Sequence, residues 1–115
     1  MKIKLSIFLC MTTLLVIHNS CKKDEYKNLD CSTINSSYKS DIKPIIDANC
    51  NSGGCHNSGS SYGDFTTYKG LLSKSNNGSL NRHVLVDKKM PPSKPLSLDD
   101  RKKIKCWINS GSLND

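Results

Sequence analysis

The chain is short and basic, and it carries six cysteines. Its 115 residues have a formal net charge of +7, and 36% of them are hydrophobic. These apolar side chains are too few for a large core, and a domain of this size is marginal in stability without disulfides or a cofactor. The basic residues are scattered and not interleaved with aromatic side chains, so the composition does not favour nucleic-acid binding.

Residues 1–20 are predicted to form an export signal. Lys2 and Lys4 give a positive start, an almost wholly apolar run follows, and small Ser20 precedes Cys21. The run is shorter than the roughly 20 apolar residues that a membrane-spanning helix needs. We therefore expect the chain to be exported.

Cys21 is the predicted lipid attachment site. The residues before it resemble a bacterial lipobox, although His18 stands where that motif has leucine. Lipidation with more than one acyl chain would anchor the protein stably in a lipid bilayer of the cell envelope, on its periplasmic or cell-surface face. The alternative is a plain secretory signal, with Cys21 an ordinary thiol. Residues 21–30 are predicted to be a polar tether and residues 31–115 a single domain.

The predicted domain keeps four cysteines. They are Cys31, Cys50, Cys55 and Cys106. An exported protein meets an oxidising environment, where an even number of cysteines indicates disulfides, a metal site or haem.

Three short helices joined by long loops are predicted, which is an all-α class. Asp41 is the expected N-cap of the first helix, which ends near Asn49. Thr66 or Thr67 caps the second helix, and Ser97 caps the last, which ends at Gly111.

The segments between these helices are predicted to be non-helical. Residues 51–63 are rich in Gly, Ser and Asn, and residues 76–78 mark a turn. Residues 84–86 form a brief extended apolar run. Met90 is followed by two prolines, which exclude helix for the residue before each of them.

The segment Cys50-Asn51-Ser52-Gly53-Gly54-Cys55-His56 carries the chemical prediction. A c-type haem is attached through two thioethers between cysteine sulfurs and its vinyl groups, and the histidine after the second cysteine binds the iron. The usual motif has two residues between the cysteines and this one has four. Gly53 and Gly54 are among the extra residues, and glycines can bulge where bulkier residues would resist.

The tripeptide Met90-Pro91-Pro92 supplies a second iron ligand candidate. A methionine thioether is a soft ligand that suits haem iron on the face opposite a histidine. Ligation by one histidine and one methionine raises the reduction potential of the haem.

Together, these blocks resemble the single-haem cytochrome c domains found in many exported bacterial lipoproteins. The resemblance covers residues 38–112 and is carried by Asp41-Ile42-Lys43-Pro44-Ile45-Ile46, Cys50, Cys55-His56, Tyr68, Met90-Pro91-Pro92, Ile104, Trp107-Ile108 and Gly111.

The resemblance implies a cytochrome c-like fold, with long loops around one haem c. It implies thioethers at Cys50 and Cys55, His56 as the proximal ligand and Met90 as the distal ligand. The implied function is electron transfer with redox partner proteins of the cell envelope, by a carrier that is not itself an enzyme but can be a subunit of one.

The resemblance also implies that the first and last helices cross. Cys31 lies just before the first helix and Cys106 within the last. A crossing would make a disulfide between them reasonable, and we predict that pair.

Several alternatives stay open. Cys50 and Cys55 can instead close a small disulfide loop, in a haem-free, disulfide-stapled surface lipoprotein that binds a partner or serves structure. Zinc ligation by these cysteines with His56 and His83 is another alternative. His83 also competes with Met90 as distal ligand, and an open distal site would suit a haem sensor or small-ligand binder.

Other residues have less specific expectations. Arg82 either pairs with a haem propionate or is solvated, and Trp107 belongs to the core. Three aromatic residues are expected to line the apolar pocket: Tyr62, Phe65 and Tyr68. The sequence has no evident set of serine, histidine and acidic residues that would indicate a hydrolase.

Overall fold

The computed structural model describes residues 25–115, which fold into helices and loops without a β-strand. The α-helices are α1 (Lys43–Asn49), α2 (Tyr68–Asn76) and α3 (Leu98–Asn109). A π-helical segment, Tyr38–Ile42, leads directly into α1, and a second one spans Asn81–Val86. A single 3₁₀ turn spans Ser52–Gly54. The predicted all-α class is confirmed for the described residues.

The predicted export signal at residues 1–20 and the predicted lipidation site Cys21 lie outside the described residues. Within residues 25–115, no helix combines the length and the apolarity needed to cross a bilayer.

The helix starts agree with the sequence at two of three positions. Thr67 and Ser97 cap α2 and α3, because the hydroxyl oxygen of each accepts a hydrogen bond from the backbone N–H of the third residue of its helix. The prediction that Asp41 caps the first helix is wrong. Ser37 is the cap, and the Asp41 carboxylate accepts a hydrogen bond from the Ser37 backbone N–H at 3.1 Å. The helical stretch therefore begins earlier than predicted, in the π-helical segment.

The prediction of an extended run at residues 84–86 is also wrong. These residues belong to the π-helical segment Asn81–Val86, in which Val84 and Leu85 are buried. That segment packs against α3. Leu80, Val84 and Leu85 are spaced as on one side of a helix, so burial against α3 outweighs the preference of β-branched residues for strands.

The core is built around α3. Ile104 and Trp107 of this helix have no solvent exposure, and α3 packs against the first π-helical segment. The Tyr38 ring lies 5.9 Å from the Trp107 ring and makes an edge-to-face contact with Tyr68 at 5.0 Å. The first helical stretch and the last helix are therefore in contact across an aromatic cluster.

A disulfide joins Cys31 to Cys106, the pair predicted from the sequence. The bond fixes the start of the domain to α3. Tyr26 and Leu29, which belong to the tether predicted at residues 21–30, also pack on the core of the domain. Tyr26 is only 4% exposed, and the Arg101 guanidinium lies 5.9 Å from its ring centroid.

Replacing both Cys31 and Cys106 by Ser should lower the free energy of unfolding by about 4 kcal/mol, because the bond closes a 75-residue loop in the unfolded chain. Urea denaturation followed by far-ultraviolet circular dichroism measures the change. Wild-type protein unfolded in the presence of a reductant should match the double variant. A loss below about 1 kcal/mol would show that the bond contributes little.

Candidate functional site

One cavity of about 640 Å³ lies beside the end of α1. Cys50, Cys55, His56 and Met90, the four residues predicted to hold a haem, all line it. His83, the competing distal ligand, lines it as well. The volume falls within the range of about 300–1,000 Å³ that is usual for cofactor and small-molecule sites. Residues far apart in the sequence are thus brought to a single cavity.

The two cysteines of the motif differ in their surroundings. Cys50 follows the last residue of α1, where its backbone N–H donates to the Ile46 carbonyl at 2.8 Å, and its side chain is buried. Cys55 follows the 3₁₀ turn and is exposed. Both are free thiols in the structure, so the small disulfide loop of the haem-free alternative is not formed.

Gly53 and Gly54 accommodate the widened spacing between the cysteines. Their φ angles are 63° and 81°, in the left-handed region that favours glycine. A Cβ atom at either position would meet no other atom within 4 Å, so backbone conformation and not space requires glycine here. The turn brings the His56 backbone N–H back to the Cys50 carbonyl at 3.1 Å. The extra residues are absorbed in a compact turn that keeps His56 next to Cys50.

Two contacts fix the orientation of the His56 imidazole. Its Nδ1 lies 3.1 Å from the Gly63 carbonyl oxygen. A carbonyl oxygen can only accept a hydrogen bond, so Nδ1 carries the proton and Nε2 keeps its lone pair in the neutral ring. The ring also stacks on Phe65, with centroids 3.9 Å apart and an interplanar angle of 1°. The contact thus fixes the orientation of the imidazole and leaves Nε2 as the nitrogen that could bind a metal, the arrangement in which a carbonyl holds the second ring nitrogen of a histidine ligand.

A hydrogen-bonded turn holds Met90 on the cavity. The backbone N–H groups of Lys89 and Met90 both donate to the His83 carbonyl, at 3.0 Å and 3.1 Å. Met90 is 41% exposed. The two distal candidates are therefore at the two ends of the same turn and face the same cavity.

Burial raises the pKa of the Cys50 thiol to about 11, with a smaller contribution from the charge of the neighbouring Cys55 thiolate. At neutral pH only about one Cys50 side chain in ten thousand is then a thiolate, which is the form that attacks disulfides. The Cys50 sulfur thus remains a neutral thiol inside the cavity.

The predictions for the aromatic residues and Arg82 agree with the structure at some positions and not at others. Tyr62 and Phe65 line the cavity, as expected. Tyr68 does not, because its hydroxyl donates to the Ser112 carbonyl at 2.7 Å on the core side. Arg82 is also absent from the lining and forms an ion pair with Asp87 at 3.4 Å. Trp107 lies in the core, where its Nε1 donates to the Leu113 carbonyl.

Lys74 lines the cavity and was not predicted from the sequence. Its position depends on how α2 packs beside Gly63, since the Lys74 Cε atom lies close to where a Cβ of Gly63 would stand. No local motif marks such a residue.

The zinc alternative requires several ligands to converge. Among residues 25–115, no three His, Cys, Asp or Glu side chains are grouped so that they could hold a metal ion. The four residues named for zinc line the cavity without forming such a group.

No protein-family model, no curated protein and no solved structure matches this chain. Function is therefore inferred from the cavity and its side chains.

In the haem-free protein, iodoacetamide should alkylate Cys55 well before Cys50 at pH 8, because Cys50 is buried and its thiol has a pKa of about 11. The Cys50 rate should rise about tenfold from pH 8 to pH 9, as its thiolate fraction does. Mass spectrometry of tryptic peptides follows each site, and protein unfolded in urea provides the control in which both react rapidly. Equal rates in the folded protein would contradict the burial of Cys50.

Proposed function

We propose that the protein is an exported, lipid-anchored electron-transfer protein that holds one covalent c-type haem in this cavity. The observation that carries the proposal is the meeting of Cys50, Cys55, His56 and Met90 on one cavity of cofactor size. The cytochrome c-like form of the all-α fold is part of the proposal. The contact between the first helical stretch and α3 supports it.

The side chains present fit a c-type haem. Each of the thiols of Cys50 and Cys55 would add across a vinyl group, giving a C–S bond while the thiol hydrogen passes to the neighbouring carbon. Neither thiol is consumed in a disulfide, so both are available for this addition. Nε2 of His56 and the thioether sulfur of Met90 would bind its iron. Held by these four side chains, the haem would supply one-electron redox chemistry.

The residues around the cavity tune that chemistry. The Gly63 carbonyl accepts a hydrogen bond from the His56 Nδ1–H, which would make Nε2 a stronger electron-pair donor to the iron. Phe65, Leu80 and Val84 provide buried apolar surface on the lining. An apolar lining and a thioether ligand both favour the ferrous state, which carries less charge, and so raise the reduction potential.

The cellular setting belongs to the same proposal. Residues 1–20 would direct export, Cys21 would carry the lipid, and redox proteins of the envelope would be the electron partners. A role as the electron-carrying subunit of a redox enzyme is compatible with this function.

Expression in a bacterium with haem-attachment machinery should give a red protein. Its reduced form should have the sharp visible bands of a six-coordinate c-type haem, and the colour should survive denaturation because the attachment is covalent. A matched culture without the attachment machinery is the control. A colourless product from the first culture would leave the haem-free, disulfide-stapled module as the better description.

Replacing Met90 by Ala should abolish the long-wavelength sulfur-to-iron band of the oxidised protein and lower the reduction potential, because the soft ligand is lost. His83→Ala is the matched control, since His83 lines the same cavity. It should leave the band and the potential unchanged. Loss of normal axial ligation in His83→Ala, with Met90→Ala unchanged, would assign the distal position to His83.

A further inference from the structure

The start of the described chain runs along α3 towards the N-terminal end of that helix. Cys31 is bonded to Cys106, and Tyr26 packs against Arg101. The five residues from Cys31 back to Tyr26 therefore run alongside the five residues of α3 from Cys106 back to Arg101. The chain thus enters the domain near the first residues of α3.

The entry point also lies beside the loop that carries Met90. The Glu25 carboxylate forms an ion pair with the Lys88 Nζ at 2.8 Å. Lys88 is two residues from Met90, which lines the cavity. Glu25, the Met90 loop and the start of α3 thus belong to one end of the domain. We call this end, formed by Glu25 and residues 88–98, the anchor-side end.

The distance from this end to Cys21 is limited by chain length. Glu25 is the fourth residue after Cys21. An extended chain spans at most about 3.6 Å per residue, so the two Cα atoms are within about 14 Å of each other in any conformation. A lipid on Cys21, as the proposed function has it, therefore holds the bilayer surface close to the anchor-side end.

The anchor-side end has the side chains of a membrane-contacting surface. Residues 88–98 include three lysines and no acidic residue. Lys89 and Lys94 are exposed, and Leu98 is exposed over 51% of its surface. Asp99 and Asp100 follow in the first turn of α3. Lysines beside an exposed leucine suit the interface of an anionic bilayer, where cations attract headgroups and the apolar side chain enters the interfacial layer.

We propose that the anchor-side end rests on an anionic bilayer surface, with Lys89 and Lys94 at the headgroups and Leu98 in the interface. This inference rests on the lipid anchor of the proposed function. It places the Met90 side of the cavity next to the membrane.

Leu98 and Leu113 provide a matched pair for a test. They are 51% and 55% exposed. Leu98 is the first residue of α3, and Leu113 lies four residues after its last residue, Asn109. In the haem-loaded, lipidated protein, Cys21, Cys31, Cys50, Cys55 and Cys106 are all bonded. Leu98→Cys and Leu113→Cys therefore each introduce the only free thiol of the mature protein for a nitroxide spin label.

Each full-length labelled variant is reconstituted in vesicles of equal parts phosphatidylglycerol and phosphatidylcholine. Collisions with a water-soluble nickel chelate and with oxygen are then measured by electron paramagnetic resonance. We expect the label at position 98 to meet the chelate about threefold less often than the label at position 113, and to meet membrane-dissolved oxygen more often. The difference should shrink in vesicles of phosphatidylcholine alone, where the lysines lose their anionic partners.

Equal chelate collisions at positions 98 and 113 would overturn the proposal and leave the lysines free for an acidic protein partner. The same difference in both kinds of vesicle would overturn the headgroup contacts of Lys89 and Lys94. An unlipidated Cys21, seen by mass, would overturn the proposed orientation, because no anchor would then hold this end at the bilayer. Failure of the proposed function is recognised separately, because a protein without attached haem has no visible spectrum and takes up an extra label at the exposed thiol of Cys55.

Discussion

The hydrogen bond between the His56 Nδ1 and the Gly63 carbonyl fixes how the imidazole is presented on the cavity. It puts the proton on Nδ1 and leaves Nε2 as the nitrogen that could bind a metal, while stacking on Phe65 restrains the orientation of the ring. The Phe65 backbone N–H also donates to the His56 carbonyl at 2.8 Å, so the loop that carries the histidine closes on itself. Without this loop the cavity would still have sulfur and imidazole on its lining, but no oriented ligand.

The core of the domain supports that loop. Trp107 and Ile104 of α3 are fully buried at its centre, and the disulfide between Cys106 and Cys31 joins α3 to the start of the domain. Cys50, Phe65, Leu80 and Val84 belong both to this core and to the cavity lining, so the cavity borders the core directly. A small domain with few apolar residues can keep a large cavity only if the remaining core is well braced, which is the role of the disulfide and the aromatic contacts. A bound cofactor would fill the cavity and add to that stability.

Features set by neighbouring residues could be predicted from the sequence, and features set by packing could not. The Cys50–His56 motif and the helix caps are local. The structure has the cap of α3 at the predicted Ser97, and the cap of α2 at Thr67, one of the two predicted alternatives. Asp41 was misassigned because Ser37 begins a π-helical segment, a conformation without a sequence signature.

Tertiary packing accounts for the other differences. The apolar residues near Val84 have strand preference, but they bury their side chains against α3 as a helical turn. Tyr68 and Lys74 both belong to α2, yet Tyr68 points to the core and Lys74 lines the cavity. Spacing along a nine-residue helix did not separate these two environments.

Cys50, Cys55 and His56 together should hold one haem. This is tested by the mass of the tryptic peptide that contains both cysteines, taken from protein made with haem-attachment machinery. The peptide should carry one haem, and Cys50→Ala and Cys55→Ala should each leave the haem attached through the remaining thioether. A peptide of unmodified mass, or one lighter by the two hydrogens of a Cys50–Cys55 disulfide, would show that this motif does not hold haem.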